Sequence, residues 1–324
     1  MSEQRTFAGL AWQSKKKVTR REQFLAEMNA VMPWAELRVV IAPYYPTAAR
    51  GPGRPPMPLE TMLRVYFLQQ WFDLSDPAAE DALYDSESMR RFAGVELGED
   101  AVPDETTILR FRRLLETHQL TEQIFGLVRE LLERRGLLMK TGTIVDATII
   151  HAPSSTKNAT GTRDPEMRQA RKGKAWYFGM KVHVGTDPRG LVHSLTTTDA
   201  AQPDIQQAPQ LLHGEEHVLY GDQAYWSEAD RHACESAGLR YRINRRPNRN
   251  QPLSARWRKI NQARSRVRAR GEHAFHVVKT LWGFTKVRYR GLAKNTTRIL
   301  TLFALANLYL VRYRLGAQGA TCLR

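Results

Sequence analysis

Cysteine is scarce in this chain of 324 residues, and its scarcity excludes two kinds of site. Cys234 and Cys322 are the only cysteines, too few for a disulfide framework or a four-ligand zinc cluster. The sequence also contains no glycine-rich phosphate loop and no nucleophile elbow, which argues against ATP hydrolysis and serine-type chemistry. We therefore expect a reducing cytoplasm as the setting and chemistry carried by other residue types.

Long hydrophobic runs are also lacking. The longest apolar run, residues 299–311 (ILTLFALANLYLV), is too short to cross a bilayer and is typical of a buried helix. The N-terminal segment has no apolar core and no small-residue cleavage site, so we expect no signal peptide. With 42% hydrophobic and 25% charged residues, we expect a soluble protein of roughly two domains without a membrane partner.

Acidic residues are almost absent from the C-terminal part of the chain. In the last 89 residues, 236–324, Glu272 is the one carboxylate side chain beside 21 lysines and arginines. This part carries a net charge of +20, whereas residues 1–235 carry −4. Such a concentrated basic surface favours nucleic acid as a partner over an anionic membrane. The third interpretation, a solvated basic face that only aids solubility, is less favoured.

The N-terminal part predicts helices. Apolar residues at helical spacing indicate helices from Leu59, from Ser75, after Pro103 and over residues 120–135. The third helix carries Thr106, Thr107, Arg110, Arg112 and Arg113. This cluster fits the recognition helix of a helix-turn-helix and, equally well, an ordinary helical bundle with solvated arginines. We assign residues 1–57 to an N-terminal arm and linker, and residues 58–138 to a helical DNA-binding domain.

After Gly136 the pattern changes to β-branched alternation. It predicts strands at residues 143–150, 178–184, 191–198, 217–220 and 239–243, and helices at 204–212, 227–237 and 255–280. This order indicates an α/β fold, a mixed sheet flanked by helices, over residues 139–315 and before a flexible tail at 316–324. The polar segment 154–174 is expected to be a surface loop within reach of DNA.

Three acidic residues are candidates for chemistry. Asp146 lies inside the first strand, Asp222 directly follows the fourth, and Glu272 lies on the last predicted helix. A strand carboxylate that faces the core needs an ion-pair partner or a metal, and an oxygen-only set suits Mg²⁺ or Mn²⁺. Two such ions catalyse in-line phosphoryl displacement. The alternative, that Glu272 merely pairs with Arg268 or His276, stays open.

Long stretches of the sequence match the motifs of one family. In the N-terminal half these are Arg54-Pro55, PLETMLR (58–64), FLQQW (67–71), LSDP (74–77), ALY (82–84) and PDETTILRF (103–111). In the C-terminal half they are GTIVDATIIHAPSSTK (142–157), RDPEM (163–167), FGMK (178–181), LHGEE (212–216) and RARGE (268–272). Over nearly its whole length the chain resembles the DDE transposases of bacterial insertion sequences, specifically the insertion sequence five type.

The resemblance implies a catalytic domain similar to ribonuclease H, with two Mg²⁺ ions that Mn²⁺ can replace. The metal-binding acids of the family correspond to Asp146, Asp222 and Glu272. The helix signature of the family, with Tyr, Arg, Glu and Lys at fixed spacing, is matched by Arg268, Glu272 and Lys279, while Ser265 takes the place of the Tyr. Tyr225 and Trp226 are expected either to stack on a base at the DNA end or to be core aromatics.

The implied activity is that of a DNA transposase acting on terminal inverted repeats and target DNA, as a homodimer on DNA in the bacterial cytoplasm at the nucleoid. Water would cleave the strand at the element's end, and the freed 3′-OH would then attack target DNA. Arg268, Lys279 and the basic stretch 240–290 would hold phosphates. Two alternatives stay open: a metal-dependent nuclease of the same fold without joining activity, and a non-catalytic DNA-binding protein.

Overall fold

The first part of the molecule is helical. The structure, a computed structural model, describes residues 12, 14–47, 55–158, 161–247 and 252–321. Seven helices precede the sheet in these ranges: α1 Arg20–Val31, α2 Trp34–Ile41, α3 Leu59–Trp71, α4 Asp76–Asp85, α5 Glu87–Ala93, α6 Glu105–Thr117 and α7 Leu120–Arg134. Side-chain caps explain several starts: Thr19 forms a capping box before α1, and Ser75 and Asp104 cap α4 and α6.

The second part is a sheet with helices. Its strands are β1 Thr143–His151, β2 Arg168–Lys172, β3 Ala175–Thr186, β4 Val192–Asp199, β5 Val218–Gly221 and β6 Arg240–Ile243. Its helices are α8 Glu228–Ser236, α9 Ala255–Arg268, α10 Glu272–His276 and α11 Leu292–Thr321. Short 3₁₀ segments cover Asp204–Leu211, Gln223–Tyr225 and Ala269–Gly271, and a π-helical turn covers Val277–Leu281.

The sheet is mixed, as predicted. β3 pairs with β1 and β4 antiparallel, whereas β5 pairs in parallel with β1 on one side and with β6 on the other. This gives the order β4-β3-β1-β5-β6, with β2 added as a hairpin on the first half of β3. The prediction of a ribonuclease H-like mixed sheet flanked by helices, after a helical N-terminal region, is confirmed.

The N-terminal segment is not a simple arm. Within the predicted arm at 1–57, α1 and α2 bury Leu25, Met28, Leu37 and Ile41 in the main hydrophobic core. The sequence also missed α5. The connection before α6 runs over residues 94–104, far longer than the three or four residues of a helix-turn-helix turn. Of the two interpretations left open for this region, the structure therefore favours the helical bundle.

The C-terminal helix α11 joins the two parts. Its segment Leu292–Ala317 is long and apolar enough to cross a membrane, but 61% of its most apolar window is buried inside the fold. It packs against α1, α3, α7 and β4. Its apolar side chains belong to the main core. The run at 299–311 is therefore a core helix, as its sequence predicted.

The predicted helix at 255–280 is interrupted. α9 ends at Arg268, a 3₁₀ turn covers Ala269–Gly271, and α10 starts at Glu272. Gly271 lies against β1 and β3, where an added Cβ would approach Ile144 to 3.1 Å. The chain can turn this close to the sheet because the residue has no side chain. The break brings the first residue of α10 to the edge of β1.

Candidate active site

The middle of β1 and the ends of β5 and α9 surround one open cleft. β5 pairs with only Thr143 and Ile144 of β1, and the next pairing on that side is the bridge between His151 and Lys286. The edge of β1 from Asp146 to Ile150 is therefore free of strand pairing on that side. Asp222 directly follows β5, and Glu272 begins α10. All three carboxylates line a cleft of about 760 Å³, which we name the carboxylate cleft. The structure thus brings the three predicted acids to one place.

Local packing fixes two of these acids. Gly221 lies between β1 and β6, where an added Cβ would approach Ile243 to 2.7 Å and Val145 to 3.0 Å. A larger residue there would have to push these side chains aside. The chain leaves the strand at Asp222, whose carboxylate accepts from the backbone of Ala224 at 2.8 Å. Asp146 accepts from the backbone of Ala147 at 2.9 Å. Both side chains therefore have one anchored oxygen each.

Asp146 has an unusual protonation equilibrium. Burial raises the pKa of its carboxyl to about 6; Arg268 opposes the shift, and the negative charges of Asp222 and Glu272 add to it. A buried acid whose pKa is raised beside other acids is a common feature of catalytic sites. In the ionised form this group attracts a cation.

Arg268 provides that cation in the structure. Its guanidinium lies 3.4 Å from a carboxylate oxygen of Asp146 and 3.1 Å from one of Glu272. Within the described ranges, no three acidic, histidine or cysteine side chains stand as close together as ligands of one metal ion. The donor chemistry of three carboxylates nevertheless suits Mg²⁺ or Mn²⁺, and entry of an ion would require Arg268 to move aside. Glu272 thus forms the ion pair with Arg268 that the sequence left open, and it also lines the cleft.

Lys279 also reaches the cleft. It donates to the hydroxyl of Thr148 at 3.0 Å and to the carbonyl of Ile149 at 3.1 Å, along the free edge of β1. Burial lowers the pKa of Lys279, and the nearby charge of Lys172 lowers it further. Ser265, which replaces the family's Tyr, accepts a hydrogen bond from Asn244 at 2.9 Å and does not line the cleft.

Several cleft residues were not predicted from the sequence. Lys181 lines the cleft and pairs with Asp204 at 2.9 Å, and Arg171 and Lys172 reach it from β2. Lys181 ends the motif FGMK, which could have directed attention to it. β2 lies inside the segment 154–174. This segment was predicted to be a loop because its polar residues show no strand pattern.

Two further predicted DNA contacts, Arg112 and Tyr225, are buried. Arg112 is buried, pairs with Asp76 at 2.8 Å and Glu116 at 3.1 Å, and has no face for DNA. Tyr225 is 3% exposed and packs in a small core behind the sheet, so it is a core aromatic, and it also lines the carboxylate cleft.

Three further predicted residues stay accessible outside the carboxylate cleft. Arg110 and Arg113 are exposed on α6. Trp226 is half-buried, edge-on to Tyr241 with ring centres 5.6 Å apart, and borders a different pocket. None of the three lines the carboxylate cleft.

A ribonuclease H-like sheet with three carboxylates converging in one basic cleft, from a strand, a strand end and a helix start, is the arrangement of an enzyme that acts on nucleic-acid phosphodiesters. Residues 138–308, more than half of the chain, match the family described as "Transposase DDE domain". Residues 13–114 match "Transposase domain (DUF772)". The chain belongs to the DDE transposase family and is a DNA transposase, a polynucleotidyl transferase with endonuclease activity. The insertion sequence five subtype stays a prediction from the sequence motifs.

The chain is also similar to solved structures at low identity. The "Crystal structure of the Mos1 Strand Transfer Complex" is 13% identical over 93% of this chain and 96% of that one, with a TM-score of 0.27. The "Mos1 transposase paired-end complex with left transposon end" is 12% identical over 83% and 100%, with a TM-score of 0.20. The "Crystal structure of the Mos1 mariner paired end complex with Mn" is 12% identical over 83% and 100%, with a TM-score of 0.19.

Proposed function

We propose that this transposase cuts DNA at the terminal inverted repeats of an insertion sequence and joins the freed 3′ ends to target DNA. DDE transposases use divalent metal ions. In this chain Asp146, Asp222 and Glu272 would hold two Mg²⁺ ions, for which Mn²⁺ can substitute. When bound, such ions activate the attacking oxygen and stabilise the leaving oxygen of a phosphoryl displacement. The observation that carries the proposal is the convergence of these three acids in one cleft.

The remaining cleft residues suit the binding of a DNA strand. Arg268 and Lys279 place positive charge beside the three acids, and Lys181 and Lys172 add charge from β3 and β2. Once Arg268 leaves its two carboxylate partners, its guanidinium is free to bind a phosphate in bidentate fashion. The acids then hold metal while the surrounding bases hold the strand in line for attack.

A basic helix extends this surface beyond the cleft. The exposed bases of α9 and the turn after it are Arg256, Arg258, Lys259, Arg266 and Arg270. None of these five forms an ion pair with a carboxylate in the described part of the chain, so their charge is available to phosphates. Arg110 and Arg113 on α6 would add backbone contacts from the helical region. We place the enzyme in the bacterial cytoplasm at the nucleoid, as a homodimer that holds two DNA ends.

The test of this proposal is a strand-transfer assay. Labelled DNA carrying the inverted repeat, a target plasmid and Mg²⁺ are incubated with the wild-type chain and with Asp146→Asn, Asp222→Asn and Glu272→Gln. We expect cleavage and joining by the wild type and a loss of at least about a thousandfold in each variant, because each removes a ligand charge.

The matched control is Glu130→Gln, which neutralises an exposed acid of α7 outside the cleft. It should leave cleavage and joining unchanged. Joining products that persist in the three cleft variants would refute the site assignment, and cleavage without joining would favour a nuclease. Calorimetric titration with Mn²⁺ adds a second readout, since the cleft variants should bind the ion more weakly than Glu130→Gln.

A further inference from the structure

A second basic pocket lies along α9, about one turn before the carboxylate cleft. It has a volume of about 370 Å³ and lies between α8, β6 and α9. Five arginines line it: Arg231, Arg240, Arg242, Arg245 and Arg264. Trp226 and Trp257 also line it, and it shares no residue with the carboxylate cleft. We name it the Arg–Trp pocket.

The positive charge of this pocket is poorly compensated. Its two acids are Glu228 and Glu235, both exposed, and only Glu228 forms an ion pair there, with Arg231. The pKa of Arg264 is lowered by burial and by the like charge of Arg242. Bringing like charges together in a partly buried site costs free energy unless an anion joins them.

The hydrogen bonds of the arginines are also incomplete. Arg264 donates one bond, at 2.6 Å, to the carbonyl of Ile243. Its Nε atom, and that of Arg231, is buried without a hydrogen-bond partner among the described residues. A buried guanidinium donor without an acceptor is uncommon in a folded protein. An anion with several oxygens would satisfy these donors.

The indole rings give the pocket a second property. The Arg245 guanidinium stacks over the ring of Trp257 at 4.9 Å, and that of Arg264 lies 5.7 Å from the same ring. Both Trp226 and Trp257 are half-buried, so each is fixed by packing and still presents part of its ring. Aromatic faces beside arginines are the combination that binds single-stranded nucleic acid, by base stacking and phosphate contact.

The position of the pocket connects it with the catalytic site. Arg264 and Arg268 are one turn apart on α9, about 6 Å along the helix axis, and they face the pocket and the cleft respectively. We propose that the Arg–Trp pocket binds one unpaired nucleotide of the DNA strand that leaves the carboxylate cleft. Its base stacks on the indoles, and its phosphate binds Arg245 and Arg264. This inference rests on the proposed function, since it takes DNA as the substrate.

The test uses binding without catalysis. Fluorescence anisotropy in EDTA compares a duplex of about 20 base pairs with the same duplex carrying a single-stranded thymidine tail. We expect Trp257→Ala and Arg245→Ala to weaken binding of the tailed duplex about tenfold, and the blunt duplex much less. Trp257→Phe should keep most of the affinity because it keeps a stacking face. Tails containing 5-iodouracil should crosslink to Trp226 or Trp257.

The matched control is Arg256→Ala, which removes one charge from the same helix outside both sites. It should weaken tailed and blunt DNA equally. If Trp257→Ala and Arg245→Ala behave like Arg256→Ala, or if the crosslinks lie elsewhere, the pocket assignment is overturned while DNA binding stands. If the wild type binds neither DNA, the proposed function itself fails. Arg245→Ala, which leaves both indoles in place, decides the case if Trp257→Ala does not fold.

Discussion

Asp146 is the residue at which stability and function oppose each other. Its pKa lies near 6 in the folded chain against an ordinary value of 3.8, so folding disfavours its ionised form. Stability from this group is fully present below pH 4 and is lost as the pH rises through 6. Without metal at pH 7.5, Asp146→Asn should therefore raise the melting temperature, by about 2 to 4 °C. Thermal unfolding in EDTA measures this change.

The pH dependence separates this explanation from a general packing effect. The gain from Asp146→Asn should shrink as the pH falls from 7.5 to 5, because the wild-type carboxyl takes up a proton. Asp146→Asn also removes the ion pair with Arg268, which lowers the stability. The gain in melting temperature is therefore smaller than the pKa shift alone would give. A variant that is less stable than the wild type at pH 7.5, or a gain independent of pH, would contradict the account.

The sequence was informative about single residues where a pattern constrained them. Asp146 was recognised because an acid among β-branched residues of a central strand needs a partner, and Glu272 because it is isolated among bases. The buried position of Arg112 was not recognised, since nothing in its own helix reveals that Asp76 from another helix pairs with it. Tyr225 was ambiguous for the same reason: whether an aromatic beside a site stacks on a ligand or packs inward depends on distant residues.

At the scale of elements, the turn between α9 and α10 positions Glu272. The loop before β4 supports this turn: Gly190 has φ of 94°, and a Cβ there would lie 2.2 Å from the carbonyl oxygen of Arg270. Gly190→Ala should therefore lower the stability by about 3 kcal/mol, from backbone strain and a clash with backbone that cannot rotate away. It should also weaken Mn²⁺ binding, because the turn that carries Glu272 must shift. Denaturant unfolding and calorimetry measure the two effects.

Gly214→Ala is the control for the strain alone. Gly214 has φ of 89°, but an added Cβ would meet nothing within 4 Å. This variant should lose about 1 kcal/mol and leave metal binding unchanged. Equal losses in the two variants would mean that the contact with Arg270 does not position the turn.

Element types were easier to predict than element boundaries. The strands with β-branched alternation, β1, β4, β5 and β6, were found within a residue or so, since their pattern is local. The interruption at Ala269–Gly271 was not, because helical spacing continues through it and the cause is the nearness of Ile144 on the sheet. β2 and the first three residues of β3, 175–177, escaped because a polar hairpin stabilised by pairing has no hydrophobic pattern.

The whole molecule has one main core that crosses the predicted boundary at residue 138. α11 connects the parts: Tyr66 of α3 hydrogen-bonds Thr301 at 3.0 Å, and Asn307 binds the backbone of Val192 on β4. Long-range contacts of this kind could not be deduced from a sequence read in segments. The shared core means that the helical region and the catalytic sheet should unfold together.

Asp73 allows that cooperativity to be tested. It pairs with Arg298 of α11 at 2.7 Å and with Arg288 at 3.0 Å, and Arg298 is only 2% exposed. Asparagine has nearly the shape of aspartate and is tolerated in the left-handed backbone at this position, where φ is 49°. Asp73→Asn therefore mainly leaves the buried Arg298 without its carboxylate partner. The expected loss is about 2 kcal/mol, below the value for a fully buried pair because Asp73 is partly exposed.

In a calorimetric scan, Asp73→Asn should lower a single unfolding transition by about 3 °C. The transition should stay single, because the helices and the sheet share one core. If either part unfolded alone, apolar side chains of α11 would be exposed to water. Asp85→Asn, at an exposed acid without an ion pair in the described residues, is the control and should unfold like the wild type. Two separate transitions, with only the first shifted by Asp73→Asn, would show that the helical region is an independent domain and that α11 belongs to the sheet alone.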